Sequence, residues 1–296
     1  MRNTFINSLV HLARLDSDIY LIVGDLGFSA IEPFADEFPD RFLNAGIAEQ
    51  NMAGLAAGMA SEGARPFCYS IANFPTFRCA EQIRNDICYH NLPVTIVAVG
   101  GGLAYGNLGY SHHAVQDYAL FRTLPNMKIA APADPIEVKA LTENIVTNPG
   151  PRYLRLGKTG EKNIHQNQDL QIMDGFWHQI RPSLNKRCFL TTGAVAQHLI
   201  PRLEKNASLD DYGIYTVPLW SQLSKVEQAK FLCKFENVEV YEDHLLDGGF
   251  GSWVLEAANL IPELKCKIKI NGIGGSTFDI VGDEAYLLKT SGLFSH

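Results

Sequence analysis

The stretch Ile19-Tyr-Leu-Ile-Val-Gly-Asp-Leu-Gly27 begins as an unbroken apolar run and ends in an aspartate between two glycines. A run without polar alternation is typical of a strand that is covered on both faces, as in a parallel sheet. A second run, Phe42-Leu-Asn-Ala-Gly46, leads into a helical pattern from about residue 48 to 61. Strands that alternate with helices in this way predict an α/β protein with a mainly parallel sheet.

The alternation continues along the chain and is interrupted once. Further strands are predicted at 66–70, 94–99, 188–192, 212–217 and 238–242, and further helices at 77–90 and 252–260. Between about 160 and 180 the sequence is polar and has no sustained period, which indicates a linker. We therefore predict an α/β fold with two domains, each a mostly parallel sheet with helices on both faces: residues 1–160, a linker at 161–183, and residues 184–296.

Composition excludes several classes of protein. Of 296 residues, 46 % are apolar and 19 % charged, which is ordinary for a globular chain and excludes a disordered one. The net charge of −7 and the lack of a basic cluster argue against nucleic-acid binding, and no apolar run approaches the length of a membrane span. The first ten residues indicate an amphipathic helix and not a signal peptide. The six cysteines show no Cys-x-x-Cys spacing, so we expect buried free thiols and a cytoplasmic protein.

Glu49 is the first candidate for chemistry, because ligands of open α/β sheets bind beyond the carboxyl ends of the strands. The helix that follows, Met52-Ala-Gly-Leu-Ala-Ala-Gly-Met-Ala60, is almost free of polar side chains and should be buried. A carboxylate at its mouth loses hydration, which favours the protonated form and suits a proton carrier. The alternative is an acid favoured only by the helix dipole, which contributes about 0.3–1 kcal/mol.

A glycine-rich loop and a histidine pair form the second candidate. Gly100-Gly-Gly102 follows a strand, and His112 and His113 come ten residues later. The glycines do not form a G-x-G-x-x-G fingerprint; they indicate a backbone that is bent or closely approached, and only weakly a phosphate site. The histidines could be structural or catalytic. No metal site is predicted in this chain, because no third ligand stands at suitable spacing.

A set of motifs gives these candidates a context. The most specific is Asn44-Ala-Gly-Ile-Ala-Glu-Gln-Asn-Met52 with Ala56-Ala-Gly-Met-Ala60. The others are Phe74–Arg84, Gly109–Asp117, Leu124–Asn126, Ala131–Asp134, Tyr153–Gly157, Glu242–His244 and Gly248–Ser252. Over nearly the whole chain, these motifs resemble the pyrimidine-binding and C-terminal domains of transketolases and 1-deoxyxylulose-phosphate synthases.

The resemblance implies a thiamine-diphosphate enzyme that transfers a ketol or acyl unit to a sugar or aldehyde acceptor. Glu49 then matches the glutamate that hydrogen-bonds N1′ of the cofactor's aminopyrimidine and promotes its imino form. Phe74 matches the aromatic residue that stacks on that ring, with Phe77 beside it. Asp25 and Ile47 match positions near the cofactor.

The resemblance also implies a substrate site. His112 matches the histidine that contacts the substrate near its reacting carbonyl. Arg155 resembles the arginine that binds a sugar phosphate, and Arg78 is a further expected substrate contact.

The motif that binds the diphosphate is not in this sequence. Full-length relatives carry Gly-Asp-Gly and a downstream Asn in an N-terminal domain, where they bind Mg²⁺ and through it the diphosphate, but this chain contains no Gly-Asp-Gly. We therefore expect the C-terminal half of a split enzyme, whose second subunit ligates Mg²⁺, in an α₂β₂ assembly.

Two departures from the family pattern bear on the substrate. Leu108 stands where the family has an acidic residue that reads a sugar hydroxyl, and the glycine run around Gly100 replaces a phosphate-binding histidine. A site built to hydrogen-bond a hydroxyl selects for it, so these changes predict a substrate other than xylulose 5-phosphate, such as a nucleotide-linked sugar or a 2-oxo acid.

Two other functions remain open from the sequence. The chain could be the beta subunit of a 2-oxo acid dehydrogenase, which uses the same cofactor half-site, or a non-catalytic partner subunit. In the second domain, Glu242-Asp-His244 could be an acid/base cluster, but a structural element at a strand end is the simpler interpretation, with the domain serving dimer packing.

Overall fold

The structure is a computed structural model that describes residues 1–158, 160–167 and 169–294. In this part of the chain the strands are β1 (Ile19–Val23), β2 (Phe42–Asn44), β3 (Arg65–Ile71), β4 (Thr95–Val99), β5 (Lys128–Ala130), β6 (Arg152–Leu156), β7 (His178–Arg181), β8 (Arg187–Thr191), β9 (Gly213–Thr216), β10 (Leu219–Ser221), β11 (Asn237–Leu245) and β12 (Lys267–Ile273). The α-helices are α1 (Arg2–Leu15), α2 (Glu32–Glu37), α3 (Glu49–Ser61), α4 (Asn73–Arg78), α5 (Ala80–Gln82), α6 (Asp117–Phe121), α7 (Pro135–Thr147), α8 (Ala196–Leu203), α9 (Ala229–Leu232), α10 (Phe250–Ala258) and α11 (Glu284–Thr290).

The strands form two mostly parallel sheets, which confirms the predicted fold class. The first sheet has the order β10-β5-β6-β4-β3-β1-β2 and the second has the order β12-β11-β8-β9-β7. Each sheet has one antiparallel edge strand, β10 in the first and β7 in the second. Strand β10 comes from the chain beyond residue 184 and completes the first sheet, while β7 lies inside the segment predicted as a linker. The two sheets are therefore interlocked by the chain that follows residue 160.

Side chains of β1 show why the sheet is covered on both faces. Leu21 and Val23 point into a core that also contains residues of α1, α2 and α7. Ile22, between them, points to the opposite face and packs in a core with residues of α3. Because successive strand residues face opposite sides, an unbroken apolar run is what two covered faces require.

The helical region after β3 differs from the single helix predicted at 77–90. It begins earlier, at Asn73, and breaks at Cys79, whose φ of −125° is not helical. A short α5 and a π-helical turn at Ile83–Cys88 follow. The Cys79 thiol donates to the Pro75 carbonyl at 3.0 Å, inside the break. This break leaves α4 as a short separate helix that ends at Arg78.

A buried polar cluster fixes the segment around His165 to the body of the protein. Asp134 caps the N-terminus of α7 by accepting from the Glu137 N–H at 2.8 Å, and it lies 3.1 Å from His165 Nδ1. Glu137 in turn accepts from the Thr216 hydroxyl of β9. The ring of His178 lies 6.5 Å from that of His165, and burial, together with the charge of His165, lowers the pKa of His178 to about 4. The cluster thus connects α7 with strands β7 and β9 of the second sheet.

Candidate functional site

Glu49 is the first residue of α3 and its side chain is only 3 % exposed. It follows Gly46, whose φ of +71° turns the chain from β2 into the helix. Arg78 Nη1 donates to both carboxylate oxygens at 3.1 Å each, and these hydrogen bonds compensate for the water that the carboxylate loses on burial. The helix N-terminus is also a favourable place for a negative group. The predicted buried carboxylate is therefore present, and its described ion-pair partner is an arginine.

Three further side chains continue from this carboxylate in one connected row. The guanidinium of Arg78 lies over the ring of Phe74, 4.4 Å from its centroid. The Phe74 ring meets the His112 ring edge to face, with centroids 5.3 Å apart. His112 Nδ1 lies 3.0 Å from Ser111 Oγ, and partial burial lowers the pKa of His112. The structure thus brings Glu49, Phe74, Arg78 and His112 together at one end of the sheet.

Asp25 lies at the carboxyl end of β1 and pairs with Asn44 at the end of β2. The Asn44 side-chain amide donates to Asp25 Oδ1 at 3.0 Å, and Asn44 Oδ1 accepts from the backbone N–H groups of Asp25 and Gly46 at 3.1 and 2.9 Å. These bonds hold the two loops together directly before α3. Ile47, in the second loop, is strongly exposed.

Ser70 is a further candidate site residue, which the sequence did not single out. It is fully buried at the carboxyl end of β3, and its hydroxyl has no hydrogen-bond partner within the described residues. A carbon built in place of a hydrogen on Gly24 would lie 3.8 Å from Ser70 Oγ and 4.0 Å from Glu49 Cγ, so both side chains lie next to Gly24. A serine next to the last residue of a mostly apolar strand was the available signal.

Arg155 has no described hydrogen bond to the residues of this row, and its guanidinium is fully occupied by other partners. Its Nε donates to Asp117 at 2.7 Å, and its Nη1 donates to Asp243 Oδ1 at 2.6 Å and to the Tyr118 hydroxyl at 3.2 Å. Its Nη2 donates to the carbonyls of Ala114 and Asp243 at 2.8 and 3.2 Å. All five N–H groups of the guanidinium are used within the protein, so none is free for the sugar phosphate that the resemblance assigned to it.

The glycine run is explained by the same packing. A Cβ on Gly101 would lie 2.4 Å from Arg155 Nε, and one on Gly102 would lie 2.2 Å from Asp243 Oδ2. A Cβ on Gly100 would enter the ring of Tyr105. The prediction of a closely approached backbone is confirmed, and the approaching groups are protein side chains.

The residues of the Glu242-Asp-His244 segment have structural partners within the protein. Glu242 accepts from the N–H groups of Phe250 and Gly251 at the start of α10, and burial raises the pKa of Glu242 to about 8. His244 stacks on Tyr118 with centroids 5.4 Å apart. This is the structural arrangement that the simpler interpretation of the segment describes.

Large apolar side chains at the loops that carry the site are exposed. Each of these residues is at least half exposed: Phe28, Ile47, Phe77, Leu108 and Tyr110. They follow β1, β2, β3 and β4, the same strands whose ends bear Asp25, Glu49, Phe74 and His112. Apolar side chains exposed on neighbouring loops at one edge of a sheet are typical of a surface that another protein covers.

Metal ligands and membrane spans are both absent from the part of the chain that the structure describes. No group of three or more His, Cys, Asp and Glu side chains there is placed to hold a metal ion. Among the same residues, none of the helices combines the length and apolarity that crossing a bilayer requires.

Comparison with known proteins points to one family. The protein-family model described as the transketolase pyrimidine-binding domain matches residues 1–160 of the sequence. The chain is 31 % identical to one of the subunits of an apulose-4-phosphate transketolase of Phocaeicola vulgatus, over 92 % of this chain and 86 % of that protein. It is also 31 % identical to a 1-deoxy-D-xylulose-5-phosphate synthase of Clostridium perfringens, over 88 % of this chain but only 42 % of the synthase. A solved split-gene transketolase, described as an inactive beta4 tetramer, superposes with a TM-score of 0.84 at 29 % identity, covering 99 % of this chain and 93 % of that one.

Proposed function

The chain belongs to the transketolase pyrimidine-binding domain family, and we propose that it is the subunit of a split, thiamine-diphosphate-dependent transketolase that activates the cofactor's aminopyrimidine. The observation that carries the proposal is the row of Glu49, Phe74 and His112 at one end of the first sheet, with Glu49 buried at the start of α3.

The residues fit the pyrimidine half of this cofactor. Between Glu49 and Phe74 there is already a planar, N–H-bearing group, the guanidinium of Arg78, which bonds to the carboxylate and covers the ring. A place that accepts such a group can accept an aminopyrimidine, which is also planar and can donate hydrogen bonds. The orphaned hydroxyl of buried Ser70 lies in the same region and offers a further polar contact.

Each residue of the site has a defined task in this proposal. When bound, thiamine diphosphate supplies the nucleophilic carbon that takes a ketol or acyl unit from a donor and passes it to an acceptor. Glu49 would hold a proton at N1′ of the pyrimidine, Phe74 would support the ring, and Asp25 and Ile47 would contribute contacts beside it. His112 donates to the substrate near its carbonyl, or removes a proton there, and its lowered pKa keeps it largely neutral at pH 7.

The cofactor's diphosphate and Mg²⁺ are assigned to a partner chain. The exposed apolar side chains on the loops that carry the site support a partner at this place, as does the similarity to a protein that is itself named as one subunit of a transketolase. We propose an α₂β₂ assembly in the cytoplasm and expect the chain to be inactive alone. The exposed Leu108 supports a substrate that differs from xylulose 5-phosphate, and the site needs no phosphate contact from Arg155.

Reconstitution tests the proposal. The chain is co-expressed with the product of a neighbouring gene that carries Gly-Asp-Gly, and the purified complex is assayed with Mg²⁺, thiamine diphosphate and a panel of ketose and 2-oxo acid donors. We expect ketol or acyl transfer that requires both chains and no lipoyl acceptor. Activity only with a lipoyl acceptor would indicate a 2-oxo acid dehydrogenase instead.

A further inference from the structure

Arg78 contacts the two groups that the proposed site needs for its cofactor. Its Nη1 lies 3.1 Å from each carboxylate oxygen of Glu49, and its Cζ lies 4.4 Å from the centre of the Phe74 ring. Within the described part of the chain, the hydrogen bonds of this guanidinium go to Glu49 alone. One side chain thus covers both the carboxylate and the aromatic face.

The chemistry of the guanidinium makes this contact a competitor for the cofactor. A guanidinium is flat, donates N–H bonds to carboxylates and stacks on aromatic rings. An aminopyrimidine held by Glu49 and Phe74 needs the same acceptor and the same face, and two flat groups cannot occupy one place. We propose that Arg78 closes this half-site in the absence of the cofactor and must swing out before the aminopyrimidine can bind. The inference rests on the proposed function, because it assumes that Glu49 and Phe74 are the cofactor's partners.

The position of Arg78 allows such a movement. Its side chain is 50 % exposed, whereas that of Glu49 is 3 % exposed, so the arginine can turn into solvent while the carboxylate cannot. Arg78 is also the last residue of α4, directly before the helix break at Cys79. A long side chain at the end of a short helix can change rotamer without moving packed core residues.

Closure by Arg78 has a consequence for the protein without its cofactor. A buried carboxylate without a partner is unfavourable, and the guanidinium supplies a partner until the cofactor does. The same contact lowers the apparent affinity for the cofactor, because only the open fraction of molecules can bind it. Removing the guanidinium should therefore strengthen binding and weaken the fold of the empty chain.

The test uses the full chain and thiamine as the probe. Calorimetric or ligand-observed NMR titrations compare the wild type with Arg78→Met and with the matched control Arg84→Met, since Arg84 is exposed and its described hydrogen bond goes to Asn85. We expect Arg78→Met to bind thiamine about three- to tenfold more tightly and to melt at a lower temperature, and Arg84→Met to behave as the wild type. If Arg78→Met does not fold, Arg78→Lys, which keeps the charge but lacks the flat face, is expected to tighten binding to a smaller extent.

Failure of the inference can be separated from failure of the proposed function. The variants Glu49→Gln and Phe74→Ala are titrated in parallel. Thiamine binding that is weakened by both substitutions but not tightened by loss of the guanidinium would overturn the role of Arg78 alone. Thiamine binding that is indifferent to both Glu49 and Phe74 would overturn both.

Discussion

Arg155 and Asp243 form a buried ion pair, 2.6 Å between Nη1 and Oδ1, that joins the two sheets. Arg155 belongs to β6 of the first sheet and Asp243 to β11 of the second. Arg155 also bonds to Asp117 at the start of α6, so one guanidinium holds three elements. The glycines at 101 and 102 allow these side chains to approach the backbone closely.

The first prediction concerns this junction. Arg155→Met should lower the free energy of unfolding by about 3–5 kcal/mol, because it leaves two buried carboxylates without their partner. Urea denaturation of the variant and of the exposed control Arg187→Met measures the difference. A variant of unchanged stability with a raised KM for phosphorylated substrates would instead return Arg155 to the substrate site.

The second prediction concerns Glu49. In the reconstituted complex, Glu49→Gln should reduce kcat by about 10²–10⁴-fold, the usual contribution of a positioned proton-transfer group. The assembly should persist, because the glutamine side chain has nearly the same size. Steady-state kinetics and gel filtration measure both effects. An unchanged rate would support a non-catalytic subunit.

The third prediction concerns Leu108, which is exposed beside the histidine loop. Leu108→Asp introduces the acidic residue that the resemblance to the family predicts at this position. We expect it to raise kcat/KM for polyhydroxylated sugar phosphates relative to the native substrate by about tenfold, equivalent to about 1.4 kcal/mol. Leu108→Asn is the uncharged control. The measurement is the ratio of kcat/KM values for two substrates assayed in parallel. Turnover of xylulose 5-phosphate by the wild type with ordinary efficiency would contradict the premise that its substrate is a different one.

The fourth prediction concerns the pH dependence of stability at His178. Burial lowers its pKa in the folded protein to about 4, below the value of about 6.5 in the unfolded chain. Between these values the unfolded chain binds more protons, so stability falls as the pH is lowered from about 6.5 to 4, by up to about 3 kcal/mol from this residue. His178→Phe should remove the contribution of this residue to the loss of stability at acid pH.

Chemical denaturation at several pH values measures this effect. The His178→Phe curve should be flatter than the wild-type curve between pH 6.5 and 4, and the control His90→Phe, at an exposed position, should follow the wild type. Curves for wild type and His178→Phe that run parallel would show that His178 does not titrate in this way.

Features carried by short stretches of sequence could be predicted. The strand at Ile19–Val23 was predicted because a strand buried on both faces is apolar at every position. The helix from Glu49 was predicted because a helix packed on a sheet consists largely of small apolar residues. Features that depend on distant partners could not. Arg155 and Asp243 are 88 residues apart, and the ion pair of Glu49 with Arg78 spans 29. Nothing in the local sequence of an arginine indicates whether its donors are used by the protein or left for a ligand.

One titration tests the central claim, that this chain supplies half of a thiamine-diphosphate site. Thiamine diphosphate with Mg²⁺ is titrated into the chain alone and into its complex with the partner chain, with Glu49→Gln in the same complex as the control. We predict micromolar or tighter binding and turnover only for the complex, with turnover lost in the variant. Tight binding and turnover by the chain alone would contradict the account.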